Sequence, residues 1–254
     1  MTTVFLAADG DDGRTGEYVS APRKTLAGFK FPVEGDLQIY VEAGHAIGDI
    51  TPPAGLDSVT VSSYRPRPGG KNVWLPKVRS PWARNQWATV GAVTTTCPTH
   101  LYHLVTGDVD VTAKGEAGVG DEGDTLALVT LQHVHVKGDL DLSDCEYPGS
   151  APVNLTVDGK TLVRRVKGGH IHFHDGDIGE LDITDADCRI ITGTDCKETG
   201  RPKDSVKYRK LTGKAKATAA LMFMGTGQAK VVLAKGEKPE WQKSKPAEPK
   251  GKVG

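Results

Sequence analysis

The feature that most restricts the fold is a phrase written twice between Leu131 and Cys196. The first copy is His133-Val134-His135-Val136-Lys137-Gly138-Asp139-Leu140-Asp141-Leu142, with Cys145 behind it. The second is His170-Ile171-His172-Phe173-His174, then Gly179-Glu180-Leu181-Asp182-Ile183, with Cys188 behind it. Each copy alternates polar and apolar residues, turns at a glycine followed by an acid, and alternates again. Period two marks a half-buried strand, because successive side chains point to opposite faces. The same pattern recurs at Asp36 to Val41, Ser58 to Ser62, Val109 to Thr112 and Val153 to Val163. Within the last run, Asp158-Gly159 is the residue pair of a two-residue hairpin turn, which predicts an antiparallel hairpin there. No apolar stripe at helical spacing, with a cap at its start, persists for about 12 residues. The chain is therefore expected to be all-β.

A glycine followed by an acid and an alternating run begins at Gly35, Gly107, Gly138 and Gly179, with spacings of 72, 31 and 41 residues. A strict solenoid repeats at one period. The uneven spacing predicts stacked short strands with a partly β-helix, solenoid-like centre; the alternative is a β-sandwich or jelly roll whose strands start at Gly-Asp turns. Gly 31 and Pro 15 among 254 residues, with 37% hydrophobic residues, suit many short strands and turns. Four regions are expected. They are a flexible N-terminal arm over 1–30, an N-terminal β region over 31–130 containing a Trp/Pro-rich loop at 64–88, a central and C-terminal β region over 131–234, and a flexible basic Lys/Pro-rich tail over 235–254.

Seven of the eight histidines lie between His100 and His174. On a strand, His133 and His135 share one face, as do His170, His172 and His174, opposite Ile171 and Phe173. Imidazoles so placed are candidate ligands for iron or zinc, although solvent-facing decoration of the strands accounts for the same pattern. No other cofactor is expected. Gly169-His170-Ile171-His172 resembles the start of a cupin metal motif, but no glutamate follows His172 or His174 at the distance such a motif places it. Trp74, Trp82 and Trp87, interleaved with Lys77, Arg79 and Arg84, are candidate interface or sugar-stacking residues, or else they pack the loop onto the body; Trp241 is a candidate anchor in the tail. Cys97, Cys145, Cys188 and Cys196 follow no CxxC spacing and are expected to be buried reduced thiols.

The chain carries no nucleophile elbow, P-loop, HExxH or dinucleotide fingerprint. Its many strand-borne acids leave a polysaccharide-cleaving or metal-dependent enzyme as an alternative to the expected non-enzyme. No secretion signal and no apolar run long enough for a membrane span is found, and nothing points to specific nucleic-acid binding. Net charge is zero, but residues from Arg201 onward hold 14 basic and 4 acidic side chains, leaving 18 basic and 28 acidic before them. An acidic body with a basic tail can attract copies of itself.

The Ala/Gly/Asp-rich start, the Gly-Asp-separated strands, the HxH strands and the Pro/Lys-rich end together resemble virion proteins of tailed bacteriophages, of the capsid-decorating, tail, baseplate or fibre type. The HxH strands in particular resemble those of trimeric phage spikes, where three chains enclose one iron with six imidazoles. The resemblance implies a structural subunit of a virion, made without a signal peptide. Its partners would be copies of itself, as a trimer or higher oligomer, and other virion proteins. A host-surface glycan is the partner in the alternative role, a receptor-binding module.

Overall fold

The computed structural model describes residues 1–66, 73–74, 84–114, 128–146, 148–150, 152–174, 176–192, 206–207 and 209–223. Trp82, Trp241, Cys196 and the 235–254 tail lie outside the described residues, and Trp74 is described in backbone only.

In chain order the strands are β1 (Thr2–Leu6), β2 (Asp36–Glu42), β3 (Ser58–Pro66), β4 (Val73–Trp74), β5 (Ala88–Val90), β6 (Val93–Thr95) and β7 (Thr99–Thr106). They continue with β8 (Val109–Val111), β9 (Val129–Val136), β10 (Leu140–Asp141), β11 (Val153–Val157), β12 (Lys160–Leu162) and β13 (Lys167–Phe173). The last are β14 (Gly176–Asp177), β15 (Glu180–Asp182), β16 (Asp187–Thr192), β17 (Val206–Lys207), β18 (Lys210–Thr212) and β19 (Ala220–Phe223). Among the described residues the only helical element is a single 3₁₀ turn, Arg84–Gln86.

The strands stack into parallel sheets in the manner of a β-solenoid. One sheet has the order β1-β2-β3-β7-β9-β11-β14-β17, a second β6-β8-β10-β12-β15-β18, and a third β13-β16-β19. Bridges from Glu146 to Lys167 and from Ser150 to Ile171 carry the third sheet one coil further towards the N-terminus. A full coil, such as β11-β12-β13, gives one strand to each sheet. Its inward residues meet the same positions of the coils above and below. Val4, Ile39, Val61, Leu101 and Leu131 form one such row, and each is fully buried. Val93, Val109, Leu140, Leu181 and Leu211 form another, interrupted by Thr161, whose buried hydroxyl donates to the Ile178 carbonyl at 2.7 Å. Burying each aliphatic side chain contributes about 1.5–3 kcal/mol. One hydrophobic cluster runs from Val4 to Leu211, and β9 crosses the 130/131 division drawn on the sequence.

Asp158-Gly159 does not close a hairpin. β11 and β12 lie in different sheets, each paired in parallel with neighbouring coils, so the two residues form a corner between sheets. The pair meets the local demand of a tight turn, but the flanking runs find better partners above and below than in each other.

That corner explains the Gly-acid phrase. Asp49 Oδ1 accepts from Ala92 N at 2.8 Å, Asp108 Oδ1 from Asp139 N at 2.8 Å, and Asp139 Oδ1 from Lys160 N at 2.7 Å. Each carboxylate reaches across the glycine of the next coil. A Cβ on Gly91, Gly138 or Gly159 would stand 2.2, 1.8 or 2.2 Å from the carboxylate oxygen behind it. The acid of one coil thus requires the glycine of the next.

The register also resolves the spacing. Leu140 to Thr161 is 21 residues and Thr161 to Leu181 is 20, the length of a bare coil. Val109 to Leu140 and Leu181 to Leu211 are 31 and 30, ten residues more than the bare coils of 21 and 20. Gly35 belongs to a different corner, ahead of β2 in the first sheet.

The 1–30 stretch, expected to be an arm, is built onto the body. β1 adds to the edge of the first sheet, and residues 7–30 fold back over it. Phe5 N donates to Gly16 O at 2.7 Å and Arg23 N to Phe5 O at 2.9 Å. Arg23 is 6% exposed, and its guanidinium donates to the carbonyls of Arg14, Thr25 and Ala27. The Asp12 carboxyl is held below the usual range by the Thr25 hydroxyl and amide. This segment shields an otherwise open strand edge, as terminal caps of solenoids must.

Candidate functional site

Among the described residues six non-glycine residues have positive φ, and all fall into two columns. His103, His133 and Asn154 (φ 54, 55 and 51°) occupy one position in successive strands of the first sheet; Asp144, Arg165 and Asp185 (φ 62, 54 and 56°) occupy one corner of successive coils. Such backbone is uncommon outside glycine, and here side chains bridge the coils that adopt it. The His103 and His133 rings stack at 4.4 Å, and Asn154 Nδ2 donates to His133 Nδ1 at 2.8 Å. Arg165 makes a two-pronged pair with Asp144 at 2.7 and 2.8 Å. Its neighbour Arg164 binds Asp182 Oδ2 at 2.7 Å. Burial would raise the Asp182 carboxyl, but Thr184 and Arg164 together hold it below the usual range.

The first column marks an unusual junction. β7 pairs with β3 along its first half and with β5 along its second. β3 ends at Pro66, where β4 pairs antiparallel with its last two residues, and β5, after the 3₁₀ turn Arg84–Gln86, completes the row that β3 began. Ser63, fully buried, pins the junction: its hydroxyl accepts from Ala88 N at 2.8 Å and donates to the His103 carbonyl. Trp87, 5% exposed, sets its ring edge-on against His103 and His133 at 5.8 and 6.2 Å. Burial, with a smaller contribution from His133, pushes His103 down to about 4.

Beside this column, on the outer face, lies a shallow basin of about 520 Å³ lined by Gly44, Arg84, Trp87, Thr89, Val105, His135 and Lys137. Thr89, Val105, His135 and Thr156 form one row across four coils. Arg84 lies over the Trp87 ring at 5.7 Å and donates to Thr156 Oγ1 at 2.9 Å and His135 Nδ1 at 3.4 Å. Arginine only donates, so His135 Nδ1 accepts, and its Nε2 carries the hydrogen that bonds Asp158 Oδ2 at 2.9 Å.

The histidines named from the sequence thus separate into two groups. His133 and His135 engage different partners: His133 binds Asn154 and packs against Trp87, whereas His135 lies between Arg84 and Asp158. The left-handed backbone at His133 interrupts the alternation on which their shared face was predicted. On β13 the alternation holds. Ile171 and Phe173 are fully buried, and the His172 and His174 rings lie 4.0 Å apart. Burial first, then His172 and Arg189, lower His170. Among the described residues no group of three or more His, Cys, Asp and Glu is placed to hold a metal. Cys97, Cys145 and Cys188 are free and buried, and burial pushes the Cys145 and Cys188 thiols up to about 12. Lys137 and Thr156 were not singled out as candidates. Alternation alone places Lys137 on the same face as His135, two residues on.

Among the described residues no helix is long and apolar enough to cross a membrane. Comparison of the chain with protein-family models, curated proteins and solved structures finds no match.

Proposed function

We propose that the chain is a non-enzymatic structural subunit, a rigid β-solenoid body that works by assembling with copies of itself in a larger particle. The observation that carries this reading is how the polar side chains are used. Asp49, Asp108 and Asp139 each hold a backbone N–H of the following coil, and Asp144 and Asp182 pair with arginines of neighbouring coils. Of the strand acids that suggested a carboxylate pair for glycoside cleavage, Asp139 and Asp182 are committed to stiffening the stack. The resemblance to tailed-phage virion proteins supplies the setting, and the acidic body and basic 235–254 tail supply a means of self-association.

The experiment is the solution mass of the full chain by size exclusion with light scattering. A trimer or larger ring is expected, weakened by truncation after Ala234 and by raised salt. A protein that stays monomeric across its accessible concentration range overturns self-assembly.

A further inference from the structure

The basin beside the β3–β5 junction has a chemistry the scaffold does not need. Lys137 follows β9 at its exposed end, and among the described residues no side chain pairs with its ammonium. Arg84 is exposed, yet its guanidinium is fixed by Thr156, His135 and the Trp87 ring. These bonds use two of its five N–H donors. His135 lies at the centre between Arg84 and Asp158, and Asp158 is 54% exposed at the edge. With Arg84 and Lys137 positive and Asp158 negative, the basin carries a net charge of about +1. The Thr89 hydroxyl and the Val105 side chain add one polar and one apolar surface to the lining.

We propose that this basin binds a carboxylate-bearing saccharide, a uronic acid within a glycan. A pre-fixed guanidinium is the group best suited to a planar carboxylate, because its parallel N–H pair matches the two oxygens and little rotamer freedom is lost on binding. Lys137 provides the second, more mobile contact. A volume of about 520 Å³ lies within the range of about 300–1,000 Å³ usual for small-ligand sites and accommodates one or two sugar rings. The mixed floor suits a pyranose, which has polar edges and an apolar face. The site needs one copy of the chain only, so it stands or falls separately from self-assembly.

The test is calorimetric titration of the full chain at pH 7 and low salt with a glucuronic acid–glucose disaccharide, with cellobiose as its neutral counterpart, and with sulfate. The acidic disaccharide is expected to bind and cellobiose to bind at least tenfold more weakly. Lys137→Gln and Arg84→Gln should each weaken binding of the acid at least tenfold. Lys137→Gln touches nothing in the framework, so it remains informative if Arg84→Gln disturbs Trp87; circular dichroism checks both folds. Failure of the acid to bind, equal binding of cellobiose, or binding unchanged in Lys137→Gln overturns the proposal. Sulfate binding as tightly as the acid also overturns it, since the basin would then be a simple anion site.

Discussion

Gly138 is not among the glycines with positive φ, so backbone conformation alone gives no reason to forbid alanine there. The reason lies across the coil: a Cβ would meet Asp108 Oδ1 at 1.8 Å and Cγ at 2.8 Å, while the nearest backbone atom, Asp108 N, stays 3.3 Å away. Gly138→Ala should therefore evict the carboxylate and break its bond to Asp139 N. A hydrogen bond to a charged group contributes about 1.5–3 kcal/mol when buried, and at this exposed corner about 1–2 kcal/mol is expected. Alanine returns about 0.4–1 kcal/mol by restricting the unfolded chain, so the net loss is about 1 kcal/mol. Asp108→Ala loses the same bond once. In the double variant the obstacle and the bond are both already gone, so Asp108→Ala/Gly138→Ala should be at least as stable as Asp108→Ala. Gly159 is the internal control. Its Cβ would meet Asp139 Oδ1 at 2.2 Å but also the Gly138 carbonyl oxygen at 2.5 Å, and a backbone atom cannot swing aside. Gly159→Ala should cost about 2 kcal/mol or more, and Asp139→Ala should not rescue it. Urea midpoints at pH 7, with a check that the slope is unchanged, decide the matter. Additive losses in the Asp108/Gly138 cycle, or rescue of Gly159→Ala by Asp139→Ala, would refute the reasoning.

Three further outcomes are expected. Burial lowers His100 and His170, and His103 to about 4, so the unfolded chain binds more protons than the folded one below about pH 6.5. The stability these neutral rings carry is fully present above that pH and is lost as pH falls towards 4. His103 alone accounts for about 3 kcal/mol, and thermal melts of His103→Gln should show a flatter profile in that window. Asp185 has φ 56°, so Asp185→Gly should leave the melting temperature unchanged or raised, whereas Asp185→Val should lower stability by about 1–2 kcal/mol; equal effects would remove the backbone argument. Ser63→Ala leaves the Ala88 N–H without its acceptor, a loss of about 1–3 kcal/mol, read by chemical denaturation and absent if the β3–β5 junction is held by other means.

The strands were legible because inward and outward residues alternate without error over most of the chain. Ile171 and Phe173 are inward and His170 and His172 outward, as period two requires. Whether the strands lie parallel was not legible, since a solenoid sheet wet on its outer face alternates just as a sandwich strand does. The 20-residue coil was hidden for a definite reason. Its corner glycine is followed by an acid at Gly107, Gly138 and Gly179, but by Lys160 at Gly159 and by Ala92 at Gly91. Lys160 and Ala92 donate their N–H to the acid of the preceding coil, and that role demands nothing of their own side chains. From Gly91 to Gly179 the corner keeps its glycine where the acid is absent, and one coil further on Arg209 takes the position. A search for the pair therefore skips coils that a search for the glycine would have counted.

The site was less legible than the fold because its members come from positions the repeat treats as equivalent. Thr89, Val105, His135 and Thr156 are one row of one sheet, and nothing local to any of them differs from other outward residues. What singles them out is Arg84, delivered by a departure from the repeat between Pro66 and Ala88. A solenoid spends its outward polar groups on neighbouring coils, and rows that continue undisturbed become ladders such as Asp144–Arg165. At a break in a row the coil on one side is missing its usual partner, and side chains there are released from the ladder. Ser63 and Trp87 seal the inner half of this break. Lys137 and the unspent donors of Arg84 remain on the outer half, where a solute rather than a neighbouring coil can meet them.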